Sequence, residues 1–204
     1  MHDLPETRHD SVLAEFTADA CRRITTGLLE ITGNELRTFL AAEVDELRDV
    51  LRDPSRLDGA RDPSDPPFRS RKGRTVVNTN PVSSRRNTIA PLLNVTQHED
   101  ETVATTVLPV QYQGPRGRVH GGYVGVLLDQ VLWLAVNDKL GHASYTRSLT
   151  ITYENTAPLE QELTVTGRVR TIDGRKTFAE GELVAGDVVC ARADGLWLSP
   201  RLGA

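Results

Sequence analysis

The stretch "GPRGRVHGGYVGVLLDQVLWLAV", residues 114–136, sets the most apolar run of the chain directly behind a glycine-rich turn. Tyr123, Val124, Val126, Leu127, Leu128, Val131, Leu132, Leu134, Ala135 and Val136 cover almost the whole circumference of a helix. A helix that is apolar all round is buried. The spacing predicts such a helix over 121–139. Gly121 and Gly122 open it. Glycine there lets backbone approach closely, and the free N–H groups of a helix start form an anion site.

One residue breaks the pattern. Asp129 sits in the middle of this helix. Its neighbours three, four and seven positions away are Gly122, Gly125, Val126, Leu132, Trp133 and Val136, none of them charged. A carboxylate without a partner in apolar surroundings is expensive, so its presence points to chemistry. Asp129 lies eight residues beyond Gly121, about 12 Å up the axis. One helix therefore cannot offer its own first N–H and its own Asp129 to a single carbonyl group. Two antiparallel copies can, which predicts a dimer.

Outward from the helix the chain changes character. Residues 9–52 read as helical. In "ELRTFLAAEVDELRDVL" the residues Leu36, Phe39, Leu40, Val44, Leu47, Val50 and Leu51 form one apolar stripe, which should stop before Pro54. A proline-rich, aperiodic linker follows. Its basic run "RSRKGR", residues 69–74, reads either as a solvated loop or as a patch that attracts phosphates. From about residue 92 the pattern turns to strands. "ETVATTVLPVQYQ" (101–113) precedes the helix. "YTRSLTITYENTAP", "ELTVTGRVRTID", "KTFAEGELVAG" and "DVVCARADGLWLSP" follow it. The turns at 173–175 and 185–187 read as tight hairpins. This is an α+β layer pair, one helix wrapped by one antiparallel sheet. The expected division is a helical extension (1–53), a linker (54–87) and the sheet-and-helix domain (88–204).

Composition narrows the function classes. A net charge of −4 gives no reason to expect nucleic acid as a partner. No apolar run reaches the roughly 18 residues a membrane span needs. The acidic, polar start "MHDLPETRHD" does not resemble a secretory signal. Cys21 and Cys190 match no metal or redox spacing, so a cytoplasmic protein without metal or cofactor is expected.

The motif "HGGYVGVLLDQ" resembles the signature of hotdog-fold acyl-CoA thioesterases, in the branch related to the phenylacetate-pathway enzymes. His120, Gly121, Gly122 and Asp129 meet its His-Gly-Gly pattern with an aspartate nine residues after the histidine. "GPRG", "LTITYENTAP" and "DGRKTFAEGEL" add to the likeness, which spans about residues 88–200. It implies a sheet wrapped around a central helix, paired with a second copy or as a dimer of dimers, and hydrolysis of acyl-CoA. The Gly121 N–H would hold the carbonyl oxygen. Asp129 of the other chain would act as general base or nucleophile. Thr146 falls where the family places a Ser or Thr that positions water, and His120 packs beside the thioester. Gly122, Gln113, Asn155, Arg175 and Lys176 are the candidate substrate contacts, the last two near the CoA phosphates. The chain departs from the pattern at Gly114, where several relatives carry an asparagine for the thioester oxygen and where Gln113 is the substitute. It departs again at Arg116, in place of a second proline. Many Val and Leu residues and few aromatics suggest a medium or long acyl chain. A catalytically idle dimer that binds acyl-CoA or a protein partner is the alternative.

Overall fold

The computed structural model describes residues 8–57 and 80–201. Within them, residues 8–57 with 80–90 form one compact unit and 91–201 a second. The basic run 69–74 lies outside the described residues.

The first unit is a helical hairpin. The segment read as helical over 9–52 is two helices, α1 (Arg8–Glu30) and α2 (Gly33–Arg52). The break falls at Ile31 and Thr32. Thr32 is extended, and Gly33 takes φ +67, which a side chain would resist. Helix α2 ends at Arg52, and Pro54 opens a short 3-10 turn. Val12, Val50 and Leu57 form the unit's small core, with Leu13 and Phe16 packed on it. Polar clasps do the rest. Arg23 holds Glu43 through both carboxylate oxygens at 2.8–3.1 Å. The largely buried Arg22 donates to the Arg85 and Asn87 carbonyls, which fastens residues 80–90 to α1.

The second unit is an antiparallel sheet of six strands around one helix. The strands are β1 (Asn94–Gln97), β2 (Thr102–Val107), β3 (Tyr145–Tyr153), β4 (Glu162–Asp173), β5 (Lys176–Ala185) and β6 (Val188–Leu198). Their order is β1-β2-β4-β5-β6-β3, which leaves β3 at an edge. Both hairpins at 174–175 and 186–187 have two-residue loops, and Gly174 and Gly186 each take φ +56. The stretch 101–113 is not one strand. It stops at Val107, because Pro109 has no N–H for a ladder, and becomes a 3-10 turn over Val110–Tyr112.

Helix α3 (Gly121–Leu140) runs through the centre with ten buried residues. Leu127, Leu128, Val131, Leu132 and Val136 are sealed against Leu163, Val165, Leu183, Ala191 and Trp197 from the sheet. Gly167 and Gly181 are paired across β4 and β5, and a Cβ on either would lie 3.2 Å from Leu132. The glycine pair lets the helix sink onto the strands. A Cβ on Gly181 would also strike the Thr166 carbonyl oxygen, which is backbone and cannot swing away. Gly181→Ala is therefore expected to destabilise the domain by about 1–3 kcal/mol, read from urea unfolding. Among the described residues no helix is long and apolar enough to cross a membrane.

Candidate active site

Two clusters on α3 gather the predicted residues. The first is the helix start. The segment before it is folded back on itself: the Gly114 N–H donates to the Arg118 carbonyl and the His120 N–H to the Tyr112 carbonyl, both at 2.9 Å. Gly117, at φ +72, makes the turn, and its N–H donates to Gln113 Oε1 at 2.7 Å. Gln113 thus spends its oxygen on shaping the loop, leaving its NH2 group for other contacts. A Cβ at Gly114 would come within 2.8 Å of the His120 Cα. An asparagine at 114 would therefore require this loop to shift. Buried Tyr112 stacks edge-on against Tyr123, ring centres 4.8 Å apart, and pins the loop to the first helical turn.

His120 is the N-cap of α3. Its Nδ1 accepts a hydrogen bond from the Gly122 N–H at 3.0 Å. The expectation that both glycines leave their N–H groups open therefore changes: Gly122 is capped. The Gly121 N–H has no partner among the described residues. The acceptor role of Nδ1 places the ring proton on Nε2 when the imidazole is neutral. On the opposite side of the same residue the Tyr153 hydroxyl donates to the Gly121 carbonyl at 2.9 Å, tying the helix start to the end of β3.

The second cluster lies in the middle of the helix. Asp129 is half-buried, and Thr146 from β3 donates to its Oδ1 at 3.0 Å. No Lys, Arg or His pairs with it among the described residues. Burial pushes its pKa above the ordinary carboxylate range, and the Thr146 hydrogen bond only partly counters this. A folded-state pKa that is raised means that stability is full at low pH and falls as the group ionises. Asp129→Asn should accordingly raise the melting temperature at pH 7, with the gain vanishing at about pH 4, below which both states are protonated.

Asn137, which the sequence reading passed over, and Trp133, read there as an apolar neighbour of Asp129, deliver Thr146 to this place. Asn137 Oδ1 accepts from the Ser144 N–H (2.9 Å) and hydroxyl (2.6 Å), and Trp133 Nε1 donates to the Ser144 carbonyl at 3.0 Å. Together they fix the chain just before β3. The signal for Asn137 was available: like Asp129, it is a polar residue on a helix that is otherwise apolar.

The remaining candidates stand elsewhere. Asn155 Nδ2 donates to the Val189 carbonyl at 2.8 Å and joins the end of β3 to β6. Arg175, in the β4–β5 hairpin, gives Nε and one terminal nitrogen to the Ser199 carbonyl at 3.0 and 2.9 Å. Lys176 is exposed beside it, with no side-chain partner among the described residues. Neither Asn155 nor Arg175 has its whole polar capacity free for a ligand. Among the described residues no group of three His, Cys, Asp or Glu side chains could hold a metal ion.

Comparison with known proteins bears on the fold and the family. Residues 116–191 match the model of the thioesterase superfamily. The chain is similar to the solved thioesterase superfamily protein RHA08564, with 29% identity and a TM-score of 0.68 over 91% of this chain and 90% of that one. That coverage exceeds the sheet-and-helix unit, so the likeness takes in part of the helical hairpin. AziG of S. sahachiroi (21% identity, TM-score 0.51, 54% of this chain and 92% of that one) shares the fold. So does E. coli PaaI, from the phenylacetic acid degradation operon (21%, 0.50, 53% and 79%). None of the curated proteins is a significant match.

Proposed function

Because the domain built around α3 belongs to the thioesterase superfamily, we propose that this protein hydrolyses acyl-CoA, with Asp129 as its reactive carboxylate. The observation that carries the reading is Asp129 itself: a half-buried carboxylate with no cationic partner among the described residues, held by the Thr146 hydroxyl. Thr146 occupies Oδ1, which leaves Oδ2 to face a water molecule. Asp129 takes a proton from that water as its oxygen attacks the thioester carbon. The carbonyl oxygen becomes negative and is held by an N–H at a helix start, a fixed dipole that needs no reorganisation. The C–S bond then breaks, the carboxylic acid leaves, and the proton goes to the CoA thiolate. Direct attack by Asp129 through an anhydride needs the same two groups in the same places.

The N–H and the carboxylate come from different copies in this reading. Gly121 and Asp129 are about 12 Å apart along one helix, too far to share a carbonyl. Edge strand β3 supports a dimer. It runs nine residues, mostly exposed, with Tyr145 at 67% and Tyr153 at 54%. Proteins seldom leave so long an edge unpaired. A second β3 laid against it would carry a second helix start toward the first Asp129. Sedimentation of the purified protein should therefore give two copies or a multiple of two.

The acyl chain would lie between the two helices, where α3 exposes Val126, and a medium or long aliphatic chain is the proposed substrate. The free Lys176 ammonium and the spare N–H groups of Arg175 are the proposed contacts for CoA phosphates. The Gln113 NH2 would serve the thioester oxygen, and Gly122 and Asn155 the substrate's edge. Residues 1–53, 54–87 and 88–204 are the proposed functional divisions. The test is a panel of acyl-CoA substrates with a thiol reagent. Thiol release is expected to be lost on the acid side at a pH above that of an exposed carboxylate, because Asp129 must be ionised to act and burial makes that harder. Absence of release above background for every substrate would favour the binding-only dimer.

A further inference from the structure

Edge strand β3 meets α3 at three places along its length. Near its start, Thr146 donates to Asp129 Oδ1 at 3.0 Å. Further on, Ile151 lies over Gly125, where a Cβ would come within 3.1 Å of Ile151 Cδ1. At the strand's end the Tyr153 hydroxyl donates to the Gly121 carbonyl at 2.9 Å. Gly121, Gly125 and Asp129 are spaced by four and form one stripe of the helix. The strand that orients the carboxylate at one end therefore holds the helix start at the other. The missing side chain at Gly125 is what lets strand and helix come this close.

The peptide that Tyr153 grips is held from its other side too. Between Gly121 and Gly122 the carbonyl accepts from the Tyr153 hydroxyl, and the N–H donates to His120 Nδ1 at 3.0 Å. The preceding peptide carries the Gly121 N–H. Its carbonyl, on His120, accepts from the Tyr123 and Val124 N–H groups at 2.9 and 3.3 Å. Peptide groups are planar, so the planes on both sides of the Gly121 Cα are fixed, and with them the direction of its N–H. The other holds come from the helix and its cap, whereas that of Tyr153 comes from the sheet. It matters here because helix ends open more easily than helix middles, and two consecutive glycines have wide backbone freedom. The phenol also polarises the peptide that it bonds, which strengthens the Gly122 donor at the far end of the same group.

We propose that Tyr153 is a positioning residue: its hydroxyl, by holding the Gly121–Gly122 peptide against β3, aims the Gly121 N–H at the thioester oxygen. The proposal rests on the oxyanion role proposed above for that N–H. Tyr153 acts through the backbone and takes no proton. A donor aimed beforehand needs no reorganisation when charge develops on the oxygen. The oxygen of the bound thioester carries little charge before attack. A misaimed donor therefore costs the transition state more than the substrate, and the effect falls on kcat rather than KM.

The experiment is Tyr153→Phe in the full chain, which removes one oxygen and leaves the ring. Steady-state kinetics use the acyl-CoA that wild-type protein hydrolyses fastest, and amide hydrogen exchange is followed by NMR. The variant should lose about fivefold to tenfold in kcat, with KM within about twofold of wild type. Exchange of the Gly122 amide should speed up by about tenfold, while the Val131 and Leu132 amides in the middle of α3 keep their rates. Sedimentation should match wild type. Tyr153→Leu, which loses the ring as well, should show the same faster exchange at Gly122. An unchanged kcat or an unchanged Gly122 exchange rate in Tyr153→Phe overturns the proposal. So does a loss of kcat that comes with dissociation into single copies, since the hydroxyl would then serve the assembly and not the donor. Failure of the functional reading would look different, as wild-type protein that releases no thiol. The exchange rates would then still decide whether Tyr153 holds the helix start.

Discussion

Asp129→Ala is expected to lower kcat for acyl-CoA hydrolysis by about 100- to 10,000-fold, the usual worth of a positioned general base. The chemistry asks two things of this carboxylate, a proton-accepting oxygen and a fixed direction. Alanine removes both and leaves Thr146 without its acceptor. KM should move little, because the contacts proposed for the acyl chain and the nucleotide are made by other groups. Asp129→Asn is the sharper companion. It keeps the shape, loses the base, and by the linkage argument above makes the fold more stable at neutral pH. A protein that grows more stable while losing its turnover is hard to explain by misfolding. If either variant turned over within a few-fold of wild type, the proposed role of Asp129 would be wrong.

Gly121→Pro comes second, with an expected loss in kcat of about 100-fold or more. Proline deletes one atom of interest, the hydrogen on the Gly121 nitrogen, and the site is suited to it. Proline is favoured at the first helical position. His120, just before it, sits at φ −63 and ψ 132, the extended region that a residue preceding proline prefers. A Cβ at 121 would meet the Tyr153 ring at 3.5–3.6 Å, an ordinary contact. Gly121→Ala adds the same carbon but keeps the N–H, so it should remain near wild-type activity. Circular dichroism confirms folding, and the two variants together separate a lost donor from a crowded helix start. Equal rates for both would sink the oxyanion role.

Much of this architecture was legible in the residue order. A helix apolar on every side has to be wrapped, and four long alternating segments with two-residue turns can do the wrapping. The misfit Asp129 marked, by the cost of putting a carboxylate there, the residue that we propose as the reactive group. What sequence spacing could not give was which backbone groups were already occupied. The Gly-Gly pair reads as two open donors, and only the rotamer of His120 reveals that one is capped. Asn155 and Arg175 read as surface polar groups in a family motif, whereas their partners, the Val189 and Ser199 carbonyls, lie 34 and 24 residues away. Bonds across such separations leave no local pattern. The helical hairpin shows the same limit in another form. The apolar stripe from Leu36 to Leu51 lies wholly within α2, so it carried no signal of the break at Ile31 and Thr32.

The choice of cap at α3 carries a last consequence. Asp or Ser would hold a helix start at least as well as an imidazole, and Asp would add a favourable charge. That charge, however, would sit beside the place where we propose that the thioester oxygen turns negative, and would repel it. Neutral His120 fastens the first turn without cancelling the positive potential there, and Arg116 and Arg118 in the preceding loop add to it rather than subtract. On that reading the helix gives up some electrostatic stability at its own end and keeps the field intact for an incoming anion.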